Sequence, residues 1–506
     1  MTSTKRQGSI SGAEAGLADL GPEQRIAQCL LVMPGVDDRG RPDAATLAAV
    51  RAGVGTLHSV VGMPASHASE YYDEIREVAL DAGVLPPLIS GNLESGIGYS
   101  LGRTGTDLPY PRGLGIADDE ELAYRAALLA AREARAVGYH WTFSPCVDVL
   151  TTSEDPILGV RAFGVGTDRT AALAAAQIRG FRDGGVASTA KHFPGHGDSS
   201  VDSHLGLPVI DRTAEAHSRV HLPPFAAAVA SGVPSIMVGH VVLPGHGVDV
   251  PASLSPVVNR DWLRGGLGYD GVIITDSLRM SAVSARWSAA ESAVLALSAG
   301  ADVANAKCAA EELPGLVAAV HAALTDGVLD PRELDASVLR LLRMRDEIAV
   351  DEAPEPAVAL DSPREWLDSG RAVTVEQAGQ VSIGGRDIVF VGASPLAERL
   401  AAAARRRGAP ARHEPPNADT AVSPAPGTLV AAVVVPDTAV GPEDRRRIDQ
   451  LARYAELLVV NGVMPAESLR RDRACVIVAP AVDAFGIVTE AAVDAVLDRL
   501  DPQVGD

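Results

Sequence analysis

A chain of 506 residues, 47% of them hydrophobic, can bury more than one core and is too long for one ordinary domain, so two domains are expected. Its net charge of −21 excludes nucleic acid and an anionic membrane surface as principal partners, because both would repel it. The four cysteines, Cys29, Cys146, Cys308 and Cys475, are widely spaced with no C-x-x-C pair, which points away from a disulfide framework or zinc knuckle and toward buried thiols.

Residues 1–21 are polar and small and read as a disordered lead. No apolar signal-peptide core is visible there, and no run approaches the roughly 18 apolar residues of a membrane span, so a cytoplasmic protein is expected. After Pro22 a short helix feeds the apolar run QCLLVMPGV. GVGTLHSVVG (Gly53 to Gly62) and PPLISGNLE (Pro86 to Glu94) read as two further strands, with a helical pattern between them. The Ala-rich helix DEELAYRAALLAAREARAVG ends at a glycine. HWTFSPCVDVL follows as a strand, in which Trp141 and Phe143 alternate as core residues do and His140 is structural. The loop PILGVRAFG places Arg161 close to an aromatic, and a helix runs from Asp168 to about Arg182.

GGVASTA reads as a short buried strand that delivers the loop KHFPGHGDSSVDSH, Lys191 to His204. Gly195, Gly197 and Pro194 break both regular periods there, and three histidines, a lysine and two aspartates are left on a polar segment. Turn chemistry explains the Gly and Asp but not the histidines. His192, His196, Asp198, Asp202 and His204 could ligate a metal. Alternatively Asp202 and His204, two residues apart, form a carboxylate–imidazole pair that shuttles a proton.

VPSIMVGHVVLPG is the next strand, with His240 near its exit, most simply a hydrogen-bonded core residue. After a helical NRDWLRGGL, the strand GVIITDSLRM carries Asp276 directly at the end of VIIT. That carboxylate suits a nucleophile at a strand mouth, or an N-cap for the following helix. ALSAGADVANAK supplies a last strand, followed by the helix AAEELPGLVAAVHAAL, and PRELDASVLRLLRMRDEI closes the unit. About eight βα units across residues 22–348 predict a TIM-type (β/α)8 barrel, an open doubly wound sheet being the alternative. Residues 349–371 are Pro- and charge-rich and read as a linker. Over residues 372–506 the pattern restarts: DIVFVG, LVAAVVV, LLVVNG and CVIVAP alternate with helices such as LAERLAAAARRRG, giving a C-terminal α/β sandwich-like domain with HEPPNADTAVSPAPG as a loop. No G-x-G-x-x-G follows those strands, so no dinucleotide site is indicated.

KHFPGHGD…DSH, VIITDSLRM, the RAFG loop and ALSAGAD, in this order, resemble glycoside hydrolase family 3, especially its bacterial β-N-acetylglucosaminidase branch. The resemblance implies an exo-acting retaining β-N-acetylhexosaminidase without metal or organic cofactor. Asp276 would be the nucleophile, Asp202 and His204 the acid/base dyad, and Lys191, His192 and Arg161 the grip on the sugar. Relatives carry an Asp-x-Glu-Gly-Gly-Arg type segment where this chain has SGNLESGIGYSLGR: Asn92 replaces the Asp, Glu94 is retained, and no basic residue comes before Arg103. Asn92 offers weaker and differently oriented hydrogen bonds to a diol, which leaves the sugar open. A neutral imidazole does not repel an anion, so phosphate is an alternative acceptor to water. A non-catalytic glycan-binding protein on the same fold is the other-class reading, and retention of Asp276 and of the Asp202/His204 pair argues against it. The expected partner is a carbohydrate.

Overall fold

The computed structural model describes residues 9–98, 100–102, 104–106, 108–151, 158–199, 206–348, 376–378, 386–392, 395–414, 428–434, 455–460, 475–478 and 490–500. Eight strands follow in chain order: β1 Leu30–Met33, β2 Thr56–His58, β3 Leu88–Gly91, β4 Trp141–Thr142, β5 Thr189–Phe193, β6 Ser235–Val238, β7 Val272–Thr275 and β8 Ala304–Ala309. All are short, and β2 to β7 are buried throughout, as expected of strands covered on both faces. They form two parallel ladders, β4-β3-β2-β1-β8 and β5-β6-β7. Isolated parallel bridges link the two ladders, Trp141 to Ala187 and Cys146 to Lys191 at one seam and Ile274 to Val303 at the other, without continuous pairing, so the described residues contain no closed hydrogen-bonded sheet. Helices such as Ala65–Asp81, Glu120–Ala136 and Thr167–Asp183 alternate with the strands. The last two pack tightly because the Gly180 side faces Tyr124: a Cβ there would lie 2.3 Å from the Tyr124 carbonyl oxygen.

Asp302 pins the N-terminal end of β7 and β8. Its buried carboxylate accepts from Arg264 Nη2 (2.5 Å), Ser337 Oγ (2.7 Å), Arg340 Nη1 (3.0 Å) and the Ile273 N–H (2.7 Å). Every one of its partners is structural, so this end of the strands carries stability and leaves the other end for chemistry.

Several segments differ from the sequence reading. Residues Ser9–Asp19, expected to be part of a disordered lead, form a helix. Ala13, Leu17 and Leu20 recur at helical spacing and pack inward, and the helix lies on Pro331–Glu347, with Arg25 bonding both the Leu17 carbonyl and Asp335. The strand expected at HWTFSPCVDVL narrows to Trp141–Thr142, because Pro145 has no N–H for a ladder. The helix expected at NRDWLRGGL is a π-helix, Val257–Gly266. The residues 349–371 expected as a linker lie outside the described residues.

In the C-terminal domain β9 Glu376–Ala378, β10 Ile388–Val391, β11 Ala411–Glu414, β12 Leu429–Val434, β13 Leu457–Val460 and β14 Cys475–Val478 form one sheet, ordered β11-β10-β12-β13-β14-β9. The four strands expected there are its centre; the edge strands β9, antiparallel, and β11, which takes in His413 and Glu414 of the expected loop, are additional. The rest of that loop lies outside the described residues. Helices Pro395–Arg406 and Glu490–Leu500 share one apolar core with it. All four cysteines are buried, and none is in a disulfide. Among the described residues no helix is long and apolar enough to cross a membrane.

Candidate active site

A pocket opens at the C-terminal ends of β1–β8, where ligands of parallel α/β sheets bind. Asn92, Arg161, Lys191, His192 and Asp276, all anticipated from the sequence, line it together. Lys191 and His192 are successive residues of β5, and a regular strand would send them to opposite faces. The β5/β6 register shifts between Lys191 and Phe193, and this bulge turns both toward the pocket.

Glu94 ties the cations together. Arg161 donates to its carboxylate from Nη2 (2.8 Å) and Nε (3.1 Å), and Lys191 Nζ lies 2.6 Å from Glu94 Oε1. Lys191 Nζ also reaches Asn92 Oδ1 at 3.5 Å. Burial alone would raise the Glu94 carboxyl, but the Arg161 and Lys191 charges outweigh it and hold the group at about 2 instead of 4.5. A stabilisation that comes from a lowered carboxyl is complete above pH 4.5 and disappears as pH falls toward 2; here it is on the order of 3 kcal/mol. Urea unfolding as a function of pH should therefore lose this stability across that window in the wild type, with a shallower loss in Glu94→Gln.

His192 is held by a residue that the sequence reading did not single out. Asp148 Oδ2 accepts from His192 Nδ1 (2.7 Å) and the His192 N–H (3.0 Å), and Oδ1 accepts from the His196 N–H (2.7 Å). Burial would raise Asp148, yet the His192 and His196 donors bring it to about 2, while burial lowers His192. Burial thus favours the neutral form of the imidazole, while the Nδ1 bond to Asp148 fixes the ring with Nε2 turned away from that carboxylate. Cys146, Asp148 and His192 bring three ligating atoms within 4.8 Å of one another. Three N–H groups and the Cys146 thiol, pushed up by burial and so kept protonated, already fill the Asp148 oxygens, which makes this cluster an orienting device for His192.

Asp276 follows β7 directly. Its Oδ1 accepts from the Ser277 N–H at 2.7 Å, and Oδ2 has no hydrogen-bond partner among the described residues. The next helix, Ser281–Ser284, has Met280 as its N-cap, so Asp276 is not a cap. Burial pushes this carboxyl up, and the His192 and His240 rings, the Ser277 amide and Lys191 together hold it well below the usual carboxylate range. His240 itself lies behind the pocket wall, with Nε2 on the Ser277 carbonyl (2.8 Å) and Nδ1 on Ser253 Oγ (2.7 Å), so it anchors the turn that presents Asp276. His140 accepts from the Ile89 N–H at 3.1 Å, a structural contact.

Asp202, His204 and Arg103 lie outside the described residues. Either side of the segment 200–205, Asp198 pairs with Arg212, and Asp198 also accepts from Thr151 Oγ1 at 2.6 Å. Gly197 packs against the Val149 carbonyl, where a Cβ would come within 2.1 Å, so this side of the loop is clamped to the 148–151 segment beneath it. His58, Asn305 and Lys307, which the sequence reading did not single out, also line the pocket, as does Phe143, which it placed in the core. A lysine inside the small-residue strand ANAKCA was the one visible signal for Lys307.

Residues 31–344 match the glycosyl hydrolase family 3 N terminal domain. A beta-N-acetylglucosaminidase/beta-glucosidase of Cellulomonas fimi is 31% identical over 271 residues, 52% of this chain and 47% of that protein, so the match spans about half the length of this relative. Beta-hexosaminidase LpqI of Mycobacterium tuberculosis is 32% identical over 340 residues, 64% of this chain and 83% of that one. The solved structure of a glycoside hydrolase family 3 beta-N-acetylglucosaminidase from Paenibacillus sp. str. FPU-7 superposes with a TM-score of 0.83 at 26% identity, over 96% of this chain and 97% of that chain.

Proposed function

The chain belongs to glycosyl hydrolase family 3, and from that premise we propose that it is an exo-acting, retaining β-N-acetylhexosaminidase whose catalytic domain is a (β/α)8 barrel. The barrel reading is supported by the parallel bridges at both seams, which give a cyclic strand order β1 to β8. The activity is supported above all by one observation: a half-buried Asp276, held well below the usual carboxylate range and with no partner for Oδ2 among the described residues, faces a pocket whose other wall is the Glu94-linked pair Arg161 and Lys191 together with His192.

Arg161, Lys191, His192 and Asn92 hold the ring hydroxyls of a terminal sugar. Asp276 Oδ2 attacks the anomeric carbon as the bond to the aglycone breaks, and His204, steered by Asp202, gives the leaving oxygen its proton. The glycosyl–Asp276 ester is then opened by water, from which His204 removes a proton, so two inversions return the β configuration. Water is the acceptor in this reading. Turnover of a chromogenic β-N-acetylglucosaminide at least ten times faster than the matching β-glucoside, with the first-formed sugar in the β configuration by NMR, is the expected result. A first-formed α sugar would remove the retaining mechanism, and preference for the glucoside would remove the substrate.

A further inference from the structure

Outside the pocket, three histidines that the mechanism does not use are packed on one another. His217 and His221 lie one turn apart on the helix Ala214–Ala230, and both are fully buried. Their ring centroids are 4.9 Å apart. His246, from the short turn Pro244–His246, meets His217 edge-on at 5.0 Å and rests on Trp262 at 4.9 Å. Both ring nitrogens of His217 and of His221, and Nε2 of His246, are buried without a hydrogen-bond partner among the described residues.

A neutral imidazole buries one donor and one acceptor in such a place, whereas an imidazolium would bury a whole charge. The charged groups around the rings supply no free counter-ion. Asp198 is paired with Arg212, and Asp148 is taken up by His192 and His196. Glu215 and Arg219, on the same helix, are exposed and pair with each other. Arg260 and Arg264, beside Trp262, turn to Glu333 and Asp302, and Arg169, on the neighbouring helix Thr167–Asp183, turns to Asp118. Burial and the two neighbouring rings bring His217 down to about 3, and burial lowers His221 and His246 as well.

The rings also carry backbone. Gly195 lies directly on His221, where a Cβ would come within 2.6 Å of the His221 Cβ. On the far side of the segment 200–205, the turn that bears His246 packs on the chain at Arg212: a Cβ on Gly245 would lie 2.2 Å from the Arg212 carbonyl oxygen. Both flanks of that segment, Gly195–Asp198 and Arg212–Thr213, thus rest on one group of three rings, and the Asp198–Arg212 pair ties the flanks to each other.

We propose that His217, His221 and His246 are positioning residues that seat these flanks while all three rings are neutral, and that proton uptake by the rings releases the flanks. The consequence for catalysis rests on the reading above, in which Asp202 and His204 of the same segment are the acid/base pair. The direction follows from linkage. A released ring regains its ordinary value near 6.5, so the seated form is fully favoured above that pH. As pH falls below it, the opening constant rises by about ten-fold per pH unit for each ring that takes up a proton. Local opening of this kind leaves the rest of the fold in place.

Hydrogen exchange read by mass spectrometry, corrected for the intrinsic pH dependence of exchange, tests this on the full chain as wild type, His217→Phe and His246→Phe. Phenylalanine keeps a ring in each place and cannot take up a proton; His246 is half-buried, so its replacement is the milder one. Between pH 6 and 5, opening in the peptides that hold Gly195–Asp198 and Arg212–Thr213 should rise roughly ten-fold or more in the wild type, and by at most about a third of that factor in His217→Phe. His246→Phe should flatten the rise in the same direction. Flat exchange in the wild type, or a rise that keeps its steepness in both variants at whatever level, overturns the proposal. So does an equal loss of protection in β7, which would make the event global unfolding. In turnover of the chromogenic glycoside, the wild-type rate should fall below pH 6 more steeply than one proton allows, and His217→Phe should return the acid limb to one proton. Acid opening without glycoside turnover at any pH would remove only the glycosidase reading, whereas turnover with flat exchange would remove only the role of the three rings.

Discussion

Asp276→Ala should lower turnover of a β-N-acetylglucosaminide by roughly 10⁴-fold while leaving the fold intact. The substitution removes the carboxylate whose Oδ2 is open to the pocket and whose Oδ1 is held by the Ser277 amide. Some stability should go with it, because the His192, His240 and Lys191 groups and the Ser277 amide that hold this carboxyl low also favour the folded state, a loss read by thermal unfolding at neutral pH. The loss should also be chemical in kind. Azide, small enough to enter the space left by the side chain, should restore part of the rate and yield the α-glycosyl azide, since a single displacement inverts the anomeric carbon. An unchanged rate in Asp276→Ala, or azide rescue that gives a β product, would place the nucleophile elsewhere.

Glu94→Ala should be the most destabilising single change at the site. Glu94 is the shared counter-ion of Arg161 and Lys191, whose side chains are only 7% and 2% exposed. Removing it leaves two buried cations facing each other, a loss of about 3–5 kcal/mol by comparison with other broken buried pairs. The unfolding midpoint in urea should drop accordingly with the slope preserved. KM should rise as well, because Arg161 and Lys191 lose the group that fixes their direction into the pocket. Glu94→Gln keeps two hydrogen-bonding atoms and should fall between wild type and Glu94→Ala on both measures.

The strand framework was legible because β1 to β8 are apolar or small runs punctuated by Gly and Pro, and burial on both faces leaves that signature in the residues themselves. Residues that sit where such runs end, Lys191, His192 and Asp276, were legible for the same reason. The helix Ser9–Asp19 was not, since Gly12 and Gly16 disguise a helical apolar stripe that only the helix Pro331–Glu347 gives something to cover. The edge strands EQA and ARHE carry polar residues and no alternation, so pairing partners alone define them. Asp148 could not be read as the support of His192, because 44 residues separate the two and only the fold brings them together. His58 and Lys307 read as ordinary strand residues, and their place in the pocket wall exists only once the fold is assembled.

Asp276 should form a covalent bond to the sugar during turnover. Incubation with a 5-fluoro β-N-acetylglucosaminyl fluoride, which forms the glycosyl-enzyme faster than it is hydrolysed, followed by mass spectrometry of the intact protein and of its peptides, tests this directly. A single added glycosyl mass on the peptide that carries Asp276, absent from Asp276→Ala, is the predicted result. A label on any other residue, or continued turnover with no label at all, would contradict it.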